Sequence, residues 1–167
     1  MRSRNLLFTA GVLAAAALLA LAMAPRSYRL VLLAGGGRIL YSSAVEPGDT
    51  FQMEFTHSVA RTPVIEKFIL TENGKIKLYE TAYHDFGAGL PTEPGEGERM
   101  ILEPDAIRIV GMSREFDRIA FRVGGIARHR FSCKGQVIDL ASVVEPGSEV
   151  DLGVEAARRL PLFIRGY

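Results

Sequence analysis

The chain has 167 residues, 48% of them apolar, with 20 basic and 19 acidic side chains and one cysteine. That length gives one domain with a core of its own and little room for two. The near balance of charge argues against nucleic acid, whose affinity rests on many Lys and Arg contacts to phosphate. Lone Cys133 excludes an internal disulfide or a thiolate metal site.

Residues 1–24 read as a signal peptide or a membrane anchor ahead of the domain. Arg2 and Arg4 precede an uncharged, alanine- and leucine-rich run from Leu6 to Ala24, which ends in the small residues a signal peptidase reads. At about 1.5 Å per helical residue the run also just spans a hydrocarbon layer of roughly 30 Å. Basic residues before it favour export of the domain, so the expected location is extracytoplasmic, in the periplasm or tethered to the cytoplasmic membrane. No cysteine comes after the run, so a lipoprotein anchor is not supported. Without residues 1–24 and their two arginines the chain carries 18 basic against 19 acidic residues, a net charge of −1.

From Tyr28 onward the hydrophobic period becomes two. Tyr28 to Leu33 and Arg38 to Tyr41 flank Gly35-Gly36-Gly37 and predict a hairpin. Thr50 to His57 alternates Phe51, Met53 and Phe55 against polar residues, with His57 expected on the apolar side. Phe68-Ile69-Leu70 and Ile76 to Tyr79 are joined through Asn73-Gly74, a strong hairpin signal because both residues tolerate the left-handed region.

Ile107 to Val110, Arg118 to Val123, Arg128 to Phe131, Val137 to Leu140 and Val150 to Val154 predict further strands. Val45-Glu46-Pro47-Gly48 and Val144-Glu145-Pro146-Gly147 are near copies 99 residues apart, and each predicts a Pro-Gly turn launching a strand. Glu155 to Leu160 predicts one helical turn. The expected fold is all-β: a single antiparallel β-sandwich or flattened barrel over 28–160, preceded by an N-terminal hydrophobic helix and ending in a tail at 161–167.

Chemistry concentrates in two loops. His57, Ser58, Thr62 and Glu66 put an imidazole, hydroxyls and a carboxylate between two strands. A small extracytoplasmic hydrolase would use Ser58 as nucleophile and His57 as base, with Glu66 or Asp85 orienting it. Adjacent Ser and His in a strand point to opposite faces, however, and no Gly-x-Ser-x-Gly elbow is present. No catalytic residue is therefore assigned. A metal-binding protein would draw on His57, Glu66, His84, Asp85 and Glu54 if the two loops met.

The second loop, Phe86-Gly87-Ala88-Gly89-Leu90-Pro91, has glycines that let backbone N–H groups converge on an anion, or simply permit a tight crossover. Thr92 to Arg99 reads as an acidic flap or a solvated loop. No cofactor is expected.

His-Ser-Val-x-x-Thr-Pro-Val-x-Glu over His57–Glu66, with Phe-Gly-Ala-Gly-Leu-Pro about 20 residues later, resembles the bacterial and archaeal domain-of-unknown-function family numbered 1850. The resemblance runs from about Val45 to Val154. It implies an accessory protein of TAXI-type TRAP transporters, which import small organic anions. The partners it implies are the transporter membrane subunits or the binding protein, with a small organic anion as ligand; the N-terminal segment, if uncleaved, adds the membrane. The positions it carries over are His57, Ser58, Thr62, Pro63, Glu66, Phe86, Gly87, Gly89, Leu90 and Pro91; with the adjacent His84-Asp85 pair, the expected ligand- or partner-binding residues are His57, Ser58, Thr62, Glu66, His84, Asp85, Phe86, Gly87, Gly89 and Pro91.

Overall fold

A computed structural model of the chain describes residues 11–16, 27–86 and 89–156. The expected cleavage region, the part of the expected helical turn beyond Ala156 and the tail at 161–167 lie outside these residues; 11–16 are helical. No helix among the described residues is long and apolar enough to cross a membrane.

Among the described residues, eleven strands form two antiparallel sheets, so the fold is a sandwich and not a closed barrel. The smaller sheet contains β1 (Tyr28–Ala34), β2 (Arg38–Val45), β8 (Arg118–Arg122) and β11 (Glu149–Ala156), in the order β2-β1-β11-β8. The larger contains β3 (Thr50–Thr56), β4 (Pro63–Leu70), β5 (Ile76–Tyr83), β6 (Arg99–Glu103), β7 (Ala106–Phe116), β9 (Arg130–Cys133) and β10 (Gln136–Asp139). Its order is β10-β9-β3-β4-β5-β7-β6.

Alternating apolar residues from both sheets meet in one core, including Leu30, Leu32, Phe51, Phe68, Ile109, Phe131 and Leu152. β6 is absent from the expected elements: Arg99–Glu103 is a short edge strand in which Ile101 and Leu102 stay exposed, so no alternation marks it. Glu155 and Ala156 continue β11 in place of the expected helical turn, because they pair with Arg29 and Tyr28.

The two Val-Glu-Pro-Gly segments share one turn geometry. Asp49 N–H donates to Glu46 O and Ser148 N–H to Glu145 O, both at 3.0 Å. Gly48 and Gly147 take φ of 93° and 90°, and each N–H donates to the end of a neighbouring strand, at Leu70 and Val123. Each turn carries the chain into a strand of the opposite sheet, β2 to β3 at the first and β10 to β11 at the second.

The Asn73-Gly74 turn docks against the first strand: Tyr28 donates its hydroxyl to Glu72 O at 3.1 Å. Gly74 has φ 76°, and a Cβ there would sit 2.4 Å from Tyr28 Cε1. Gly74→Ala is expected to cost about 2–3 kcal/mol, combining a left-handed alanine with displacement of the tyrosine ring. Gly36→Ala is the control, with the same φ of 76° and open space around it; it should cost only about 1 kcal/mol. Chemical denaturation of the two variants separates packing from backbone strain.

The sandwich has two distinct ends. Residues 27 and 156 lie together at one of them, because Tyr28 pairs with Ala156. The β3–β4, β5–β6 and β8–β9 loops gather at the other end, where Thr56 N–H donates to Ala127 O at 2.6 Å and Val64 pairs with Tyr83.

Candidate functional site

The first loop is a tight turn. β3 ends at Thr56, one residue short of the expected boundary, and His57 belongs to the turn. Its N–H donates to Thr62 O at 2.8 Å, its carbonyl accepts from Arg61 N–H at 2.9 Å, and its Nδ1 accepts from Ala60 N–H at 3.0 Å. Arg61 takes φ 59° to close the turn. The imidazole thus has one nitrogen committed to local structure, while Ser58 and Val59 are exposed at the tip. Thr62 is half-buried, and its hydroxyl oxygen is buried with no hydrogen-bond partner.

The second loop leaves from the neighbouring strand end. His84, Asp85, Phe86 and Gly89 are exposed, Pro91 is half-buried, and Gly87 lies outside the described residues. Gly89 has φ 88°, the left-handed conformation its sequence position suggested. Tyr83 donates its hydroxyl to Pro91 O, and Leu90 packs on a small second core of Val64, Tyr83 and Ile107. Phe86 meets the Tyr83 ring edge-on at 6.3 Å yet remains half-exposed.

The acidic stretch after Pro91 is pinned: Glu98 caps Gly95 N–H at 2.9 Å and reaches Arg114 of β7 at 3.4 Å. Among the described residues, no three His, Cys, Asp or Glu side chains are grouped to hold a metal ion.

Glu66 is not part of the surface turn. In the register of β3 and β4 it lies opposite Met53, and it shares the inward face of β4 with Val64, Phe68 and Leu70. At about 3.3 Å per strand residue, roughly 13 Å along the sheet separates the Met53–Glu66 pair from His57. The carboxylate faces an inter-sheet cleft of about 200 Å³. Met53, Phe55 and Phe68 line it from the larger sheet, and Ile119, Phe121 and Leu152 from the smaller one.

The other polar group in the cleft is His129, which sequence reasoning did not select. It is 8% exposed, its ring stacks on Phe55 at 5.4 Å and meets Phe121 at a tilt at 5.1 Å, and its Nδ1 has no hydrogen-bond partner. The available signal was the alternation His129, Phe131, Cys133: His129 immediately precedes β9, and its imidazole falls on the buried side that Phe131 and Cys133 continue.

Burial pushes the Glu66 carboxyl above the ordinary glutamate value, and the charge of Arg114 opposes this only in part. Burial also pushes the His129 imidazole below its ordinary value. Both groups therefore favour the neutral form more than they would in water. An uncharged imidazole and a carboxyl of altered basicity can accept hydrogen bonds from a ligand or exchange a proton with it.

The sign of the linkage is testable. With its folded pKa raised, Glu66 contributes stability that is present below about pH 4.5 and is lost as pH rises through the folded pKa. Glu66→Gln removes that loss, so the variant is expected to be the more stable of the two at about pH 8 and to lose this advantage near pH 4. Thermal unfolding across that range gives the difference curve.

The described residues thus form a two-layer antiparallel β-sandwich with a small apolar cleft between its sheets that holds Glu66 and His129. Residues 51–140 match the family described as a domain of unknown function, DUF1850, and the chain belongs to that family. No curated protein and no solved structure matches the chain. The matched span holds both Glu66 and His129, together with the two loops.

Proposed function

We propose that this chain is an extracytoplasmic binding module that assists a TRAP-type (TAXI) solute-uptake system. The observation that carries the binding role is Glu66: a carboxylate directed into an apolar cleft, beside a buried imidazole with an unpartnered nitrogen. Desolvating such groups costs stability, and a ligand that supplies their missing hydrogen bonds recovers it. The uptake context comes from the family resemblance and the signal-like N-terminus.

The two ends of the sandwich divide the remaining work. A tether through residues 1–24 would join the domain at Tyr28, so the loops bearing His57, Ser58, His84, Asp85 and Phe86 would point away from the membrane. A seven-residue strand adds about 23 Å to that separation. Val59, Phe86 and Ile126 are exposed apolar side chains on these loops. This geometry favours the soluble solute-binding protein as the partner over the transporter membrane subunits.

The experiment places a photo-crosslinking amino acid at Val59 or, at the opposite end, at Asn73, in the full-length chain in its native membranes. Capture of the solute-binding protein from position 59 and not from 73 is the expected result. Capture of no transporter component from either position, with solute uptake unchanged on deletion of the chain, overturns the reading.

A further inference from the structure

We infer that the inter-sheet cleft takes a small organic ammonium: a protonated primary amine carrying one ring or a short branched chain. This rests on the cleft being the binding site proposed above, and it replaces the organic anion that the family resemblance implies. Three observations carry it.

The first is charge. The residues lining the cleft include a carboxylate and an imidazole but no lysine or arginine. An entering anion would meet the desolvated Glu66 with no basic side chain to receive it. An ammonium adds a counter-charge inside the cleft to the through-space field of Arg114, and brings N–H donors to an acceptor in a low-dielectric setting, where charge-assisted hydrogen bonds are strong.

The second is the wall. Phe55, Phe68 and Phe121 line the same cleft, with His129 stacked on the first and tilted against the last. Aromatic faces attract cations through the ring quadrupole and also bury an apolar body. The carboxylate and the rings thus select for the same ligand, one with a cationic head and a hydrocarbon remainder.

The third is size. At about 200 Å³ the cleft somewhat exceeds the apolar cavity of roughly 150 Å³ that accommodates benzene. One ring with a methylammonium arm fits that space.

Affinity should follow the ionisation of Glu66. The strands packed against it present Met53, Phe55, Ile119, Phe121 and Leu152, the β8–β9 loop presents His129, and Arg114 of β7 acts on it through space while bridged to Glu98. Raising the pH ionises Glu66 and strengthens the site until the amine itself deprotonates.

The test is titration calorimetry on the full-length chain in an uncharged detergent, with benzylammonium, benzyl alcohol and benzoate as probes. Benzylammonium is expected to bind and benzoate not to bind. Glu66→Gln, which keeps the shape and removes the charge, should weaken benzylammonium about tenfold or more. Benzyl alcohol should bind weakly and equally to both proteins.

If benzoate binds at least as well as benzylammonium, or Glu66→Gln leaves benzylammonium unchanged, the ammonium assignment is overturned. Binding of benzoate that disappears in a cleft-filling Ile119→Trp variant would leave the binding module standing with a different ligand class. Binding of none of the three overturns the ammonium assignment and the ligand-binding role together, while the crosslinking result decides the transporter association on its own.

Discussion

Phe131→Ala is expected to destabilise the domain by about 3–5 kcal/mol, which is a large part of the roughly 5–15 kcal/mol that holds a typical domain together. Phe131 has no exposed surface and lies in the middle of β9. It pairs in register with Met53, meets the Tyr41 ring edge-on at 5.1 Å across the sheets, and lies 6.2 Å from Phe51. Those neighbours are held by β2 and β3 and cannot close over the void, so the lost transfer energy is joined by a cavity term. A fall of roughly 10 °C in the unfolding midpoint is the corresponding thermal signal. Phe86→Ala, at a ring that is 52% exposed, should cost about 1 kcal/mol or less in the same assay. Equal losses at the two sites would mean that the inter-sheet core is not where the stability lies.

The second large effect belongs to the outer face of the larger sheet. Glu80 is only 6% exposed and accepts from Lys67 Nζ at 2.9 Å and from Arg108 through both Nε and Nη2, each at 2.9 Å. Arg108 also reaches Glu103 at 2.9 Å, which ties β4, β5, β7 and β6 into one ladder of charge. Removing the central carboxylate leaves two cations without their main partner. Breaking a buried pair costs about 3–5 kcal/mol, but Lys67 and Arg108 keep about a third of their side-chain surface in water. Glu80→Ala is therefore expected to cost about 2–3 kcal/mol near neutral pH.

The bidentate Arg108 bond holds the Glu80 carboxyl below the ordinary glutamate value of 4.5, with Lys67 adding to the effect. Its contribution is present above about pH 4.5 and is lost as pH falls through the folded pKa, so wild type and variant should converge in acid. Denaturant titrations at about pH 7 and about pH 3 give the comparison, and a gap that does not shrink in acid would rule out the ion pairs as its source.

Much of this architecture is legible in the sequence wherever a local rule decides the outcome. Asn73-Gly74 and the two Val-Glu-Pro-Gly turns name their own geometry, because positive φ selects glycine. Phe51, Met53 and Phe55 alternate cleanly because one face of β3 packs inward and the other meets water. β6 carries no such signal: it lies at a sheet edge and exposes Ile101 and Leu102, leaving neither face with a consistent pattern.

The candidate site divides along the same line. The alternation Val64, Glu66, Phe68, Leu70 already puts a carboxylate on a buried face, and His129 falls in step with Phe131 and Cys133. What no periodicity states is that the two groups share a cleft, because Ile119, Phe121 and Leu152 close it from the other sheet. Reading His57 through Glu66 as one continuous surface motif joins residues that the fold separates: His57 serves the turn, and Glu66 serves the interior.

Methionine methyl groups report directly on whether the inter-sheet cleft is the binding site. The chain has five methionines, of which Met53 lines the cleft while Met112 is buried in the main core outside it. Full-length protein labelled at its methionine methyls and titrated with benzylammonium should move the Met53 resonance and leave that of Met112 in place, and Glu66→Gln should require about tenfold more benzylammonium for the same movement. A Met53 signal that stays fixed while benzylammonium binds, as recorded by calorimetry, would contradict the account and put the site elsewhere on the molecule.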